Sequence, residues 1–341
     1  MKIGVVGASG YSGGELLRLL NSHPYFQVEY IAAGSQAGAP VTSVHPQLVD
    51  YSDRTFEATE IFRMNECELL FFALPHGESA KLIAGVDQKI KIVDLGADFR
   101  LESPASWEKY YGGGYAGAWV YGLPEIPGQR EKISSASRVA NPGCYATAIA
   151  LATAPALHSK IVDGSDIVVV AASGTTGAGR KASTNLLGSE IMGSLTSYKF
   201  GGVHQHTPEI EQVLTSLGDG DVRISFTPIL APMPRGILAT VTAKLKSNLN
   251  STDVQEIYKN FYTSENFVSV LTGNQLPKTS AVLGSNSTQI QVAVDEHTNR
   301  IVISAAIDNL GKGAASQAIQ NANLISGFPE NTGLSTQGIG S

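Results

Sequence analysis

Cysteine is scarce in this chain: 341 residues hold only Cys67 and Cys144. Two thiols cannot build the disulfide framework of a small secreted domain, so a reducing cytoplasm is the expected setting. Basic residues are outnumbered, 24 against 30 acidic for a net charge of −6, and they do not cluster. Nothing here offers the electrostatic footprint of a nucleic-acid or anionic-lipid binder, and small molecules are the expected partners. Long apolar runs are missing as well. The stretches Leu69 to Leu74 and Ile167 to Ala172 fall far short of the roughly 20 residues a membrane helix needs, so no membrane partner is expected. The opening MKIGVVGASGYSGG carries one cationic side chain and runs straight into an apolar segment, so no separate targeting segment is expected.

Glycine, by contrast, is plentiful, with 36 residues, and 341 residues exceed the roughly 250 to 300 at which one core stops growing. Two domains are therefore expected. Lys2 to Val6 reads as a strand ending at Gly7, Gly13 to Leu20 as an amphipathic helix, and Gln27 to Ala33, Glu68 to Leu74 and Ile90 to Leu95 as further strands. Strands alternating with helical segments predict a Rossmann-type α/β doubly wound parallel sheet. The Gly-, Tyr- and Pro-rich span Trp107 to Gly128 has no period and reads as an ordered loop. From Tyr145 the pattern changes. A helix to Leu157 is followed by β-rich runs at Ile167 to Ala172, Val222 to Ile229, Ile237 to Leu245, Gln289 to Val294 and Arg300 to Ile307, with a helix at Asp253 to Tyr262. That reads as an α+β domain with a mainly antiparallel sheet. Gly313 to Leu324 reads as a last helix and Pro329 to Ser341 as a mobile tail. The expected division is a nucleotide-binding domain over 1–144, joined by 312–341, and a catalytic and oligomerisation domain over 145–311.

Gly7, Gly10 and Gly13 form G-x-x-G-x-x-G between the first strand and its helix. In that setting a glycine turn lets backbone N–H groups approach a pyrophosphate at a helix N-terminus. NAD-specific sites place a carboxylate at the end of the second strand, roughly 20 residues on. Here the chain reads Ala33-Gly34-Ser35-Gln36. No carboxylate repels a 2′-phosphate there and Ser35 can donate to one, so NADP is the expected cofactor. Arg54 is the only basic residue suggested for that phosphate.

Asn141-Pro142-Gly143-Cys144 places a thiol immediately before an alanine-rich helix, where the macrodipole and terminal N–H groups favour a thiolate and can receive an oxyanion. Cys67, entering a strand, reads as an inert core residue. The acid–base partner is sought in His204-Gln205-His206-Thr207-Pro208-Glu209. Thr207 reads as N-cap and Pro208 as the first helical residue, leaving both histidines on the entering loop and pointing the same way. A metal site lacks a third ligand nearby, so no metal is expected. His23, His45, His158 and His297 read as surface or packing residues.

These segments, with FALPHG at Phe72 to Gly77, DLGADFRL at Asp94 to Leu101, YGLPE at Tyr121 to Glu125, SGTTGAGRK at Ser173 to Lys181, PMPRGI at Pro232 to Ile237 and DNLGKGAASQAIQN at Asp308 to Asn321, run along nearly the whole chain. In this order it resembles the N-acetyl-gamma-glutamyl-phosphate reductases, relatives of aspartate-semialdehyde dehydrogenase. The sequence departs from them at Gln205, where arginine is common, and at Ala146, where proline is frequent. The resemblance implies NADPH-dependent reduction of an acyl phosphate in arginine biosynthesis. The Cys144 thiolate displaces phosphate, and hydride reduces the resulting thioester to the semialdehyde, with His206 handling the proton. It implies nucleotide contacts from Gly7, Ser9, Gly10, Tyr11, Ser12, Gly13, Ser35, Pro75, Ser173, Gly174, Gly177 and Asn309. Substrate contacts are implied for Arg100, Asn141, Arg180, His204, Glu209 and Arg235, and a homodimer or homotetramer as the assembly. Two other readings are open. The same chemistry could act on a carrier-bound aminoadipyl or glutamyl phosphate, or the chain could be a non-catalytic NADP-binding regulator.

Overall fold

The computed structural model describes residues 1–340, in two compact units. The first comprises Met1–Pro104, Gly113–Pro142 and Ala314–Leu334; the second comprises Ala105–Gly112, Gly143–Gly313 and the last residues from Ser335.

The first unit is built on a parallel sheet of six strands: β1 (Lys2–Val6), β2 (Gln27–Ala32), β3 (Leu69–Phe72), β4 (Lys91–Asp94), β5 (Val120–Tyr121) and β6 (Arg138–Ala140). They lie in the order β2-β1-β3-β4-β6-β5. Strand alternation divides the core. Ile3, Val5, Leu69, Phe71 and Val93 face one side, with Leu16 and Leu17 of the Tyr11–Leu20 helix and Ile319 of the Ser316–Ser326 helix. Val6, Leu70, Phe72 and Ile92 face the other with Tyr30 and Met64. A sheet covered on both faces is the condition for all-parallel pairing. The chain reverses its strand order between β2 and β3 around β1, so the carboxyl end of β1, where Gly7 lies, opens at a topological switch point.

The second unit holds β7 (Val162–Ser173), β8 (Thr196–Ser197), β9 (Ile224–Leu230), β10 (Ile237–Leu245), β11 (Val268–Val270), β12 (Thr288–Asp295) and β13 (Arg300–Ile307), ordered β11-β12-β13-β10-β7-β9-β8. The pairing is antiparallel except for β7 with β9 and β11 with β12. The Cys144–His158 helix is buried on every side from Tyr145 to Leu157. Its alanines let neighbours approach, and Tyr258 of the Ser251–Phe261 helix donates to the Ala152 carbonyl at 2.8 Å. On β7 and β10 the residues Val168, Val170 and Leu238 remain exposed.

Four expectations need correction. The span Trp107 to Gly128 is not all loop: Pro104–Tyr110 is helical, and β5 lies within the span. Together with β6 and the Gln129–Ser135 helix these elements are too short to show a hydrophobic period. The tail is not loose. Asn323 Nδ2 donates to the Glu330 and Thr332 carbonyls in the first unit, while in the second Ser335 accepts from the Asn286 N–H and Ile339 donates to the Leu283 carbonyl. Ser341 lies outside the described residues. Cys144 is itself the first residue of its helix, with Gly143 at the N-cap position. The helix after the histidines begins at His206, not after Thr207.

Candidate active site

In the first unit the glycine turn is shaped by close backbone contacts. Gly7 has φ +85°, and a Cβ there would stand 2.3 Å from the Ala73 carbonyl oxygen. A Cβ on Gly13 would meet Gly7 O and Ala8 Cα at 2.6 Å, so helix and turn touch only because Gly13 has no side chain. Gly10 differs. Its backbone is extended, and a Cβ there would meet only Gly7 O, at 3.5 Å. Nothing in the protein requires glycine at that position, which is the pattern expected where a ligand comes close. The turn therefore fits a dinucleotide pyrophosphate, with Ser9, Tyr11 and Ser12 half-buried around it. Sequence reading missed two braces. A Cβ on Gly14 would strike the His45 ring at 2.4 Å, and His45 Nε2 pairs with the Ala8 carbonyl at 2.9 Å.

Ser35 and Pro75 are exposed. Arg54 does not meet the phosphate-binding expectation, because its guanidinium donates to the Val28 and Glu29 carbonyls of β2. Arg100 is buried, and it donates from Nε to the Asn141 carbonyl at 2.8 Å and from a terminal nitrogen to the Leu95 carbonyl at 2.6 Å. Through these two bonds it holds the ends of β4 and β6 together. Asn141 is buried too, accepting from Asn321 Nδ2 at 2.9 Å and donating to the Ala314 carbonyl. DLGADFRL and FALPHG secure one another: Asp98 accepts from the Gly77 and Ala80 N–H groups, and Asp94 from Ser79 Oγ and the Gly96 N–H. Full burial pushes the Asp94 carboxyl up to about 7.

In the second unit Cys144 is half-buried, at the amino end of a 15-residue helix. The N–H of Gly143 donates to Glu209 Oε1 at 2.8 Å, and Glu209 is wholly buried in the first turn of the His206–Thr215 helix. One carboxylate thus serves the amino ends of two helices, where negative charge is favoured. Gly313 also lies close to Cys144: a Cβ there would lie 2.7 Å from Cys144 Cβ. Cys67 in the first unit is buried, and desolvation raises its thiol to about 11, so the two cysteines differ in kind.

The histidines also differ. His204 is buried, edge-on to Tyr145, Tyr198 and Phe226 at centroid distances of 5.1 to 5.6 Å. Its Nδ1 accepts the backbone N–H of His206 at 3.2 Å, so its proton sits on Nε2. This ring, in place of Thr207, caps the helix. Gln205 is in the right-handed helical region, which overturns the extended geometry expected between the histidines. Their ring centroids are nonetheless 5.0 Å apart. Burial first, then the neighbouring His206 and Lys199 charges, push His204 down to about 2, against an opposing pull from Glu209. It stays neutral at working pH. His206 is half-buried and lies 6.0 Å from the Tyr145 ring. Tyr145 and Tyr198, both missed in the sequence, are joined by a hydroxyl pair at 3.1 Å, and burial raises both phenols, Tyr198 to about 12. The adjacency of Tyr145 to Cys144 was the one signal available.

The remaining predicted residues form a second knot in this unit. Arg235 makes a two-pronged pair with buried Asp308, at 3.1 and 2.6 Å. Asp308 also accepts from the Gly284 N–H, and its carbonyl receives the Gly313 N–H. Arg235 is thereby fixed within the fold. Asn309 accepts from the Gly236 N–H at 2.7 Å and donates to Thr176 Oγ1 at 3.0 Å. Gly174 is needed where a Cβ would meet the Pro234 and Arg235 backbone at 2.8 Å, and Gly177 lies beside Ser173. Arg180 is on an exposed stretch. Asp308, legible only as one acidic letter in DNLGKG, is the centre that sequence reasoning missed.

A parallel doubly wound unit with a glycine turn, together with a mixed-sheet unit carrying a helix-start cysteine and two histidines, defines a semialdehyde-dehydrogenase type of protein. Family models described as the semialdehyde dehydrogenase NAD binding domain and the semialdehyde dehydrogenase dimerisation domain match residues 2–136 and 144–309. The chain belongs to the N-acetyl-gamma-glutamyl-phosphate reductase family. It is 53% identical to the reductase of that name from Acidothermus cellulolyticus, over 99% of this chain and 98% of the relative. It is 51% identical to that of Salinispora arenicola, over 99% of each. Among solved structures, aspartate semialdehyde dehydrogenase II from Vibrio cholerae shares the fold at a TM-score of 0.71 and 17% identity, covering 95% of this chain and 98% of the other. The Candida albicans aspartate semialdehyde dehydrogenase with NADP shares it at 0.69 and 14%, over 95% and 98%.

Proposed function

We propose that the protein reduces N-acetyl-gamma-glutamyl phosphate to N-acetylglutamate 5-semialdehyde and phosphate, with NADPH as reductant, in arginine biosynthesis. The observation that carries this reading is Cys144 at the amino end of its helix, fixed through Gly143 to Glu209, with His204 and His206 both against the ring of the adjacent Tyr145. The first unit binds the nucleotide at the Gly7–Gly13 turn, and the second performs the chemistry.

Cys144 attacks the acyl carbon as thiolate, favoured by the helix end. The bond to phosphate breaks, and an acyl thioester on Cys144 remains. NADPH, when bound, supplies the hydride. His206 gives a proton to the oxygen of the reduced carbon and takes it back as the carbon–sulfur bond breaks, releasing the aldehyde and restoring the thiolate. His204, neutral and buried, has a positioning part: its Nδ1 holds the first N–H of the His206 helix. Glu209, Arg100 and Arg235 likewise act on the frame, since each is engaged with the chain's own groups.

Assembly as a homodimer or homotetramer accompanies this reading. The exposed valines Val168 and Val170 with Leu238 on β7 and β10 form the face offered to a second copy, within the region matched by the dimerisation-domain model. Among the described residues no helix is long and apolar enough to cross a membrane. A cytoplasmic setting is proposed, supported by two free cysteines. The test is phosphate-dependent reduction of NADP by the purified protein with N-acetylglutamate 5-semialdehyde. Activity is expected for the wild type and near-complete loss for Cys144→Ser, while substantial turnover by that variant would refute the mechanism.

A further inference from the structure

We infer that Lys199 binds the free carboxylate of the substrate and so selects acyl phosphates that carry one. The inference rests on the proposed reaction, whose substrate bears a carboxylate remote from the reacting carbon. Two of the three arginines expected to meet the substrate are engaged within the fold: Arg235 with Asp308, Arg100 with backbone carbonyls. Lys199 has no such commitment. Its ammonium donates to Oε1 of Gln205, the residue between the two histidines, and among the described residues no carboxylate pairs with it.

Its position is built, not incidental. Tyr198, one residue before, is fixed by its hydroxyl on Tyr145 at 3.1 Å, by its N–H on the Pro228 carbonyl and by its ring edge-on to His204. Lys199 then takes φ +43°, and Gly201 and Gly202 follow at +85° and +81°. This left-handed run, costly for a lysine, turns the chain so that residue 199 meets residue 205. Such local strain marks places where a side chain is held for use. The charge is also felt inside the site, since it contributes to keeping His204 neutral, and partial burial lowers the lysine's own pKa. An exposed cation bonded to a neutral amide has room for an anionic partner. Gln205 orients it.

The test compares wild type, Lys199→Met and Lys199→Arg in the oxidative direction, using N-acetylglutamate 5-semialdehyde, the same aldehyde with its carboxylate esterified, phosphate and NADP. For Lys199→Met the KM for the carboxylate-bearing aldehyde should rise about 10- to 100-fold, as loss of a charged hydrogen bond implies. The KM values for phosphate and NADP should stay unchanged, kcat should fall little, and the preference for free acid over ester should vanish. Lys199→Arg should restore most of the affinity. A rise in the phosphate KM in place of the aldehyde KM would overturn the assignment and make Lys199 a phosphate ligand. An unchanged acid-over-ester preference in Lys199→Met would overturn it as well. Failure of the wild type to oxidise the aldehyde at all would instead count against the proposed reaction.

Discussion

The backbone N–H of Gly143 and the buried carboxylate of Glu209 meet at 2.8 Å, across 66 positions of sequence. The bond couples the start of the Cys144–His158 helix to the start of the His206–Thr215 helix. Cysteine and histidine are therefore set by one shared carboxylate, and each helix end gains a negative charge where its dipole favours one.

Removing that acceptor should be felt in both stability and rate. Glu209→Ala leaves a buried N–H without its partner, at a cost of about 1 to 3 kcal/mol, and should lower the thermal midpoint together with kcat. Glu209→Gln retains an oxygen acceptor and should melt closer to the wild type. Equal melting of the alanine variant and the wild type would show that the bond contributes nothing.

Gly313→Ala tests the packing against the nucleophile. A methyl group 2.7 Å from Cys144 Cβ cannot be accommodated without displacing one of the two. Misplacement of a reacting group by about 1 Å can lower a rate roughly 100-fold, so kcat should fall by that order while NADPH binding persists. Stopped-flow turnover beside nucleotide titration separates the two, and wild-type kcat would count against the close contact.

The glycine turn predicts opposite behaviour at neighbouring positions. Gly7→Ala places a Cβ 2.3 Å from Ala73 O at φ +85° and should destabilise the first unit outright. At Gly10, where the protein leaves room, Gly10→Ala should melt near the wild type yet bind NADPH at least about tenfold more weakly, because the methyl occupies the ligand's approach. Calorimetry with and without nucleotide distinguishes the two, and tight NADPH binding by Gly10→Ala would remove the turn from the site.

His204 should make the fold acid-labile. In the unfolded chain its ring titrates at the ordinary 6.5, whereas in the fold it is pushed down to about 2. Its contribution is fully present above pH 6.5 and is lost as the pH falls below that, because the unfolded chain takes a proton the folded ring refuses. The loss between pH 7 and pH 5 is of order 2 kcal/mol for these values. Denaturant unfolding of His204→Gln should lack this slope. A variant retaining the full slope would place the titration elsewhere. Asp94, raised to about 7, works oppositely, losing stability as the pH rises from about 4, and remains in both proteins.

What the sequence by itself determined was everything carried by a few adjacent residues. Alternating strands and a strand-glycine-helix opening specify the doubly wound unit, since pleat and helix periods act over short stretches. Asn141-Pro142-Gly143-Cys144 specifies a thiol at a helix start, because a turn and a helix onset are local. What only the tertiary structure decided was which polar groups were still available. Arg100, Arg235 and Arg54 look like ligands as letters, yet each is engaged by backbone carbonyls or by Asp308. That His204 stays neutral depends on aromatic rings from Tyr145, Tyr198 and Phe226. Desolvation and long-range pairing arise when distant segments close on one another, and no short window of chain carries that information.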